Sequence, residues 1–493
     1  MPLGLDFSLV TPNMQAKIMA IFSLLLFLTS CTVSMSRQEQ VENILPTPSI
    51  DTSIATALQE KTFIPNGWPS SNWWEGYGLC ELNQLIERAL VCNPSIQAAQ
   101  TRIAFAGSQA VIAHAKLRPL IYFDASDEWD YLSQTGLYRA LNPTIALSNS
   151  IIDFSLSFFY EFDFWGKYRN RFQAEIGKQQ AAIAETAQAQ LIISTALAQA
   201  YFALQTNLVR KSLYEQFYQV RSNYFKLQTK LFHSALDSRL EPLLSQEDLF
   251  EAQQWLADIE QEIAVNRHVI NVLAGKGPDE PLLCQQPLPL LPTTLSLPTD
   301  ISIKLLRRRP DLMAQNWRIE ALAHEVGAAK AEFLPDVNLV AFAGFQSGSW
   351  STLFDWISKT VRVIPGLSLP IYTACAIQAN VDAKKALFNE AVFEYNDLIL
   401  KSFQQVADLL AIGHAVYDEK EKQTQIVTNS NLRYQLTSLR QQKGLDNALT
   451  TYQFREQMLQ KELDDVQLLY EQYVVTIALI KALGGGYDCS VGT

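Results

Sequence analysis

Basic charge is in short supply. The 493-residue chain carries 39 Lys and Arg against 50 Asp and Glu, a net charge of −11. It has no basic surface to neutralise phosphates, which argues against a nucleic-acid partner. Histidine is rarer still: His114, His233, His268, His324 and His414 stand singly on long helical patterns. None has a Cys or carboxylate at ligand or triad spacing, so no catalytic residue, metal site or cofactor is assigned, and the chain reads as not an enzyme. The six cysteines, Cys31, Cys80, Cys92, Cys284, Cys375 and Cys489, show no metal-like spacing. Cys80 and Cys92 would lie about 18 Å apart on one helix, too far for a disulfide. Beyond the first 30 residues no run of 18 apolar residues occurs, which excludes helical membrane spans.

What the N-terminus does have is a short apolar stretch, Ile18 to Leu28, preceded by Lys17. It is too short to span a bilayer and suits an export signal. Met14 is an alternative start, since residues 1–13 add nothing to such a signal. The stretch runs into Leu28-Thr29-Ser30-Cys31, which resembles a bacterial lipobox, with Cys31 as the lipid attachment site and Thr32 after it.

The rest of the chain says the same thing twice. Pro94 and Pro119 are spaced as Pro310 and Pro335, while Leu236-Asp237, Leu240, Glu247 and Gly275 match Leu445-Asp446, Leu449, Glu456 and Gly484 at an offset of 209. Four features in register indicate a tandem duplication. Each copy reads as helix, strand pair, very long helix and helix, and together they predict one interleaved body. The expected division is a signal at 1–30, an extended segment at 31–80 containing Trp73-Trp74, a first repeat at 81–280, a linker at 281–300, a second repeat at 301–487 and a tail at 488–493.

No proline interrupts residues 144–241, leaving room for a helix of roughly 100 Å. Within it Leu197, Tyr201, Leu204 and Leu208, then Leu213, Phe217, Val220, Tyr224, Leu227 and Leu231, step by four and three. That is a heptad seam. Tyr214, Tyr218, Phe225 and Phe232 form a partial second seam, so the helix should touch neighbours on two sides, as in a closed wall of helices.

Strand signals are few. Phe154, Leu156, Phe158, Tyr160, Phe162 and Phe164 alternate with Ser155, Ser157, Phe159, Glu161 and Asp163, a period of two with aromatics on one face. Val337 to Phe345 reads as the weaker counterpart in the second copy, and Val361 to Leu369 continues it. About four strands result, each near bilayer length. Four strands cannot close a barrel, and open edges are not tolerated in hydrocarbon. Either the sheet is soluble or several chains share one barrel; three chains would supply twelve strands.

Taken in order, several motifs resemble the outer-membrane efflux proteins of the TolC family, in the lipoprotein branch (OprM/NodT-like) that serves RND-type multidrug pumps. They are the lipobox, Trp73-Trp74, Phe162-Asp163-Phe164-Trp165-Gly166, Leu306 to Leu312, Gly327 to Ala331 with Phe333-Leu334-Pro335, Leu367 to Tyr372, and Lys481 to Tyr487. The resemblance implies a mainly α protein with a membrane β-barrel. Its homotrimer would have a shared twelve-stranded barrel in the outer membrane of a Gram-negative bacterium and a long periplasmic helical tunnel. It further implies a periplasmic membrane-fusion adaptor and an inner-membrane RND-type pump as partners.

Chemistry gives most of these motifs structural roles. Arg307-Arg308-Arg309 reads as a helix-entry cluster rather than an anion site, Asp311 suits a helix N-terminus, Gly484-Gly485-Gly486 a helix stop, and Phe162 to Trp165 an interfacial anchor. In the family, the ends of the second-repeat helix pair close the tunnel with leucine and acidic rings. Matching Gly444 to Leu449 places the ring leucine at Leu449, while the usual aspartate position falls on Gln453, a neutral departure; Asp446 is an alternative acid. The expected function is an exit duct for small molecules. A protein-secretion exit and a periplasmic coiled-coil scaffold or adhesin are the other readings.

Overall fold

The computed structural model describes residues 44–488, apart from 47, 60, 61, 66, 282–290, 292–294, 299 and 300. Leu28, Thr29, Ser30 and Cys31 lie outside the described residues, as do Cys284 and Cys489. In chain order the elements are α1 (Asp51–Gln59), β1 (Phe63–Pro65), a 3-10 turn (Trp73–Tyr77), α2 (Cys80–Cys92), α3 (Pro94–Ala115), β2 (Leu120–Tyr131), α4 (Leu137–Leu141), β3 (Ser148–Phe162), α5 (Lys167–His233) and α6 (Leu240–Leu273). Then follow β4 (Leu295–Leu297), α7 (Ile301–Arg308), α8 (Pro310–Ala331), β5 (Asp336–Ser347), β6 (Lys359–Ser368), α9 (Ala376–Gln442) and α10 (Ala448–Ala482).

The duplication is visible in the element lengths. The helices α3 and α8 each have 22 residues, β2 and β5 each 12, and α5 and α9 each 67. Thus β5 is the repeat counterpart of β2, and β6 that of β3, a correction to the pairing of Val337–Phe345 with the Phe154 segment. The β3 hydrophobic alternation is the more conspicuous pattern and misled that match. Pro94 and Pro310 open α3 and α8, where proline's missing N–H costs nothing. Segment 31–80 departs from an extended leader, since its described part contains α1 and pairs β1 with β4 in parallel.

By contacts the chain divides into two compact units rather than one body, and each draws on both repeats: 105–179 with 317–393, and 45–104 with 180–316 and 394–493. In the second unit the α5 seam forms the core. Leu197, Tyr201 and Leu204 are fully buried beside Trp73 and Trp74, and Phe202 stacks on Tyr473 at 4.0 Å. Further along, Leu213 and Phe217 pack with Leu459 and Leu463 of α10, and Phe217 meets Trp255 of α6 at 5.7 Å. The helix therefore touches two neighbours, α6 and α10, and Tyr214 of the second seam also meets Trp255, at 5.9 Å.

The first unit holds an antiparallel sheet in the order β2-β3-β5-β6. Residues opposite one another in register share a face, and successive residues alternate faces. The row Ile121, Phe158, Ala341, Val363 is apolar; the next, Tyr122, Ser157, Phe342, Arg362, is mixed. The row Phe123, Leu156, Ala343, Val361 is apolar again, and Asp124, Ser155, Gly344, Thr360 is polar. The alternation first seen in β3 thus extends across these rows, while the row Leu120, Phe159, Val340, Ile364 at the helix end of the second face is apolar as well. Among the described residues neither β2 nor β6 has a second strand partner.

Candidate functional site

The sheet's two faces form the first part of the site. On the polar face the Ser157 hydroxyl donates to Asp124 and that of Ser155 to Asp153, so the small side chains of β3 serve carboxylates of that face. The apolar face is bounded at the helix-bearing end by an aromatic cluster: Phe162 stands 4.8 Å from Tyr160 and stacks on Phe164 at 5.6 Å. Beside it the Trp165 indole N–H donates to the Pro335 carbonyl at 2.8 Å. Indoles with one end apolar and one end bonded suit an interface.

Helices next to the strands in this unit enclose a cleft of about 550 Å³ lined by Lys116, Tyr168, Arg171, Glu325, Glu332 and Lys384, among others. Glu325 accepts from Lys178 at 2.6 Å and from Lys384 at 2.7 Å, and Arg171 pairs with Glu332 at 2.7 Å. Burial pushes the Glu325 carboxyl up, but the two lysines outweigh it and hold the group below its ordinary range. The cleft is cross-linked rather than open for chemistry.

The second part is the pair of helix–helix turns in the other unit. Between α9 and α10, Gly444 adopts φ 72°, the Leu445 N–H donates to the Arg440 carbonyl and the Gly444 N–H to Gln441, both at 2.9 Å. This is a glycine-stopped helix end. Asn447 then caps α10 by accepting from the Thr450 N–H at 2.8 Å. The turn between α5 and α6 repeats it with Ala235 at φ 55° and the Leu236 N–H donating to Leu231 at 2.9 Å.

The turn decides the position of the candidate gate residues. Asp446 is gripped by the Arg440 guanidinium, Nε at 2.7 Å and Nη2 at 3.2 Å, which holds its carboxyl below the usual carboxylate range. Leu449 is half-buried and Gln453, one turn on, is exposed. No sequence motif singles out Arg440. The signal available was the spacing: a chain reversed in this way brings residues i and i+6 together. In the first repeat Leu231 occupies the place of Arg440, so only the second turn carries the ion pair.

The other motifs resolve into structure. Arg309 forms a forked pair with Asp311 at 3.0 and 2.6 Å, and Asp311 also accepts from the Leu312 N–H at 2.8 Å. Arg308 lies over the Trp68 ring at 5.1 Å and 3.5 Å from Asp488. Gly484, Gly485 and Gly486 all have positive φ just past α10. Among the described residues Cys80, Cys92 and Cys375 form no disulfide. Among the described residues no three metal-ligating side chains converge.

Comparison with known proteins agrees with this geometry. Residues 85–276 and 302–485 match the family model described as outer membrane efflux protein. The multidrug resistance outer membrane protein MdtQ of Escherichia coli O6:H1 is 28% identical over 476 residues, covering 95% of this chain and 98% of its own. The similarly described MdtP of Escherichia coli K12 is 28% identical over 431 residues, 86% of this chain and 88% of its own. Among solved structures, the outer membrane protein VceC of Vibrio cholerae superposes with a TM-score of 0.77 at 30% identity, over 85% of this chain and all of VceC. The Campylobacter jejuni CmeC outer membrane channel shares the fold, with a TM-score of 0.82 at 21% identity over 91% and 95% of the two chains. With its helical repeats and two-faced sheet, the chain belongs to the outer membrane efflux protein family.

Proposed function

We propose that the chain is the outer-membrane exit duct of a tripartite efflux system, working as a homotrimer that passes small toxic molecules outward without chemistry of its own. The observation that carries this is the sheet: it has one apolar face, one largely polar face and, among the described residues, two outer strands with a single strand partner each. Lipid accepts such a sheet only when every edge is paired. Joining β6 of one copy to β2 of the next removes both edges, and three copies give twelve strands around a polar lumen. A periplasmic scaffold would leave the apolar face unexplained. Relatives described as multidrug resistance proteins support small-molecule cargo, with a periplasmic adaptor and an RND-type inner-membrane pump as the delivering partners.

The tip turns would supply the gate, with Leu449 as the apolar ring and Gln453 and Asp446 as polar neighbours, and Cys31 would carry the lipid anchor. The deciding experiment is membrane fractionation followed by mass measurement of the detergent-extracted protein. A species of three copies in the outer-membrane fraction is expected; a monomer in the soluble fraction overturns the duct.

A further inference from the structure

The apolar face of the sheet does not end where its strands end. The connection from β5 to β6, residues 348–358, bends back over it. Trp350 meets Phe154 edge-on at 6.0 Å, and Phe354 meets Phe154 at 5.8 Å and Phe345 at 6.0 Å. Phe154 and Phe345 are register partners on the apolar face. Ile152 on that face and Leu353 in the connection are both 0% exposed, so the loop is seated rather than waving.

The same loop resolves a conflict in the sheet. Asp127 is the one carboxylate that the register places on the apolar face. It accepts from Ser150 at 2.6 Å and from the Trp350 indole N–H at 3.0 Å, bonds that a carboxylate near hydrocarbon requires. What the seated loop then turns outward is apolar: Trp356 is 75% and Ile357 89% exposed. Lys359 holds its ammonium 4.2 Å over the Trp356 ring. An indole, an aliphatic tip and a lysine at one end of a lipid-facing surface match headgroup depth, where indoles anchor and lysines reach toward phosphate.

The height fits as well. Phe162 in the aromatic cluster at the helix end and Ile152 under the loop are ten residues apart on β3, about 33 Å of strand and roughly 25 Å once tilted like a barrel strand, the height of an apolar band.

We propose that the β5–β6 connection is a membrane-surface anchor: Trp356 and Ile357 enter the outer leaflet, and Lys359 meets the phosphate of a phosphorylated lipid headgroup. The proposal rests on the reading of the sheet as membrane-spanning. It commits the exposed apolar tip to lipid rather than to an extracellular protein.

The test uses the full chain, with the unlipidated cysteines replaced by serine, carrying one environment-sensitive fluorophore through Ile357→Cys, Phe158→Cys or Glu128→Cys. Each is reconstituted in vesicles of phosphatidylethanolamine and phosphatidylglycerol with plain or brominated acyl chains. The probe at 357 should lose most of its fluorescence to brominated chains, as the probe at 158 does, while that at 128 on the polar face keeps its signal. Adding Lys359→Glu should weaken the quenching at 357 by setting a carboxylate against the phosphates; unchanged quenching overturns the headgroup contact. Quenching at 158 with an iodide-accessible, unquenched 357 overturns the anchor and leaves the duct standing. A 357 probe shielded from iodide but not quenched by brominated chains assigns the patch to a protein and also overturns it. Absence of quenching at 158 refutes the membrane-spanning sheet itself.

Discussion

Asn93 and Arg309 hold the same place in the two repeats and close the same joint. Asn93 Nδ2 donates to the Leu273 carbonyl at 2.9 Å, and Arg309 Nη1 to the Ala482 carbonyl at 3.3 Å, in each case tying the start of one helix to the end of another. The two joints differ in what a mutation leaves behind. Asn93→Ala loses a neutral bond and the cap on the Ser95 N–H, a cost of about 1–2 kcal/mol. Arg309→Ala removes the forked partner of Asp311 and leaves its carboxylate only the Leu312 N–H, at a cost of about 2–3 kcal/mol. Thermal unfolding of the extracted protein should rank the second variant below the first; equal losses would contradict this account of Arg309.

The face assignment can be tested on two adjacent residues. Val363 shares a row with Phe158, and Ile364 pairs with Val340 on the other face. Val363→Lys should cost about 2–4 kcal/mol in the bilayer and lower the yield of assembled protein, with Ile364→Lys much milder. Assembly assays that find the two indistinguishable would rule out the face assignment.

At the tip, Gln453→Asp adds a carboxylate that Arg440 does not engage and should raise cation preference in single-channel recordings. Arg440→Ala should do the same by releasing Asp446. Leu449→Ala should raise leak, since an apolar ring holds a pore shut by excluding water. The Arg440 pair lowers the folded-state pKa of Asp446. Its stabilisation is therefore fully present above the ordinary aspartate pKa and is lost as pH falls through the depressed value. The Arg440→Ala effect should persist at neutral pH and vanish in strong acid; an acid-insensitive difference would point away from Asp446.

Left-handed backbone without glycine is a local cost. Ala235, Ala374 and Cys375 have φ of 55°, 49° and 64°, a conformation that costs non-glycine residues roughly 1 kcal/mol. Ala235→Gly should stabilise the first turn by about 0.5–1 kcal/mol. Gly444→Ala should lose a similar amount by strain alone, because nothing lies within 4 Å of the added carbon. Opposite shifts in melting temperature are the expected reading.

Replacing Cys31 by Ser should abolish acylation and leave the precursor uncleaved by the lipoprotein route. Intact-mass analysis decides: native protein without acyl chains removes the anchor. The barrel should still insert, since one lipid anchor adds only part of the membrane affinity.

Long-period order was legible in the sequence because it is written in many residues at once. The seam from Leu197 to Leu231 placed a helix that spans Lys167–His233, and the alternation in β3 pointed to a two-faced sheet. What escaped depends on single local contacts. Helix α1 sits in a segment rich in turn formers, and only Ile54 and Ala57 of its nine residues are buried, too short a pattern to stand out in the sequence. The Arg440 grip on Asp446 arises from chain reversal at Gly444, and the seating of Trp350 on Asp127 from a loop of no regular period. The mismatch of β5 with β3 shows the limit from the other side, since hydrophobic amplitude is a poorer guide to repeat register than element length.

In the proposed trimer the outer strands β2 and β6, each with one strand partner among the described residues, also set an order of events. A single copy would expose unpaired N–H and C=O groups to hydrocarbon along both β2 and β6, several kcal/mol for each group left unmet. Entry into the bilayer and completion of the sheet are then one event rather than two. In that reading the helices can pack in a lone chain, but the strands must wait for company. Appearance of the inserted form should rise more steeply than in proportion to protomer concentration, and membranes that admit lone chains of other barrels should hold no intermediate of this one.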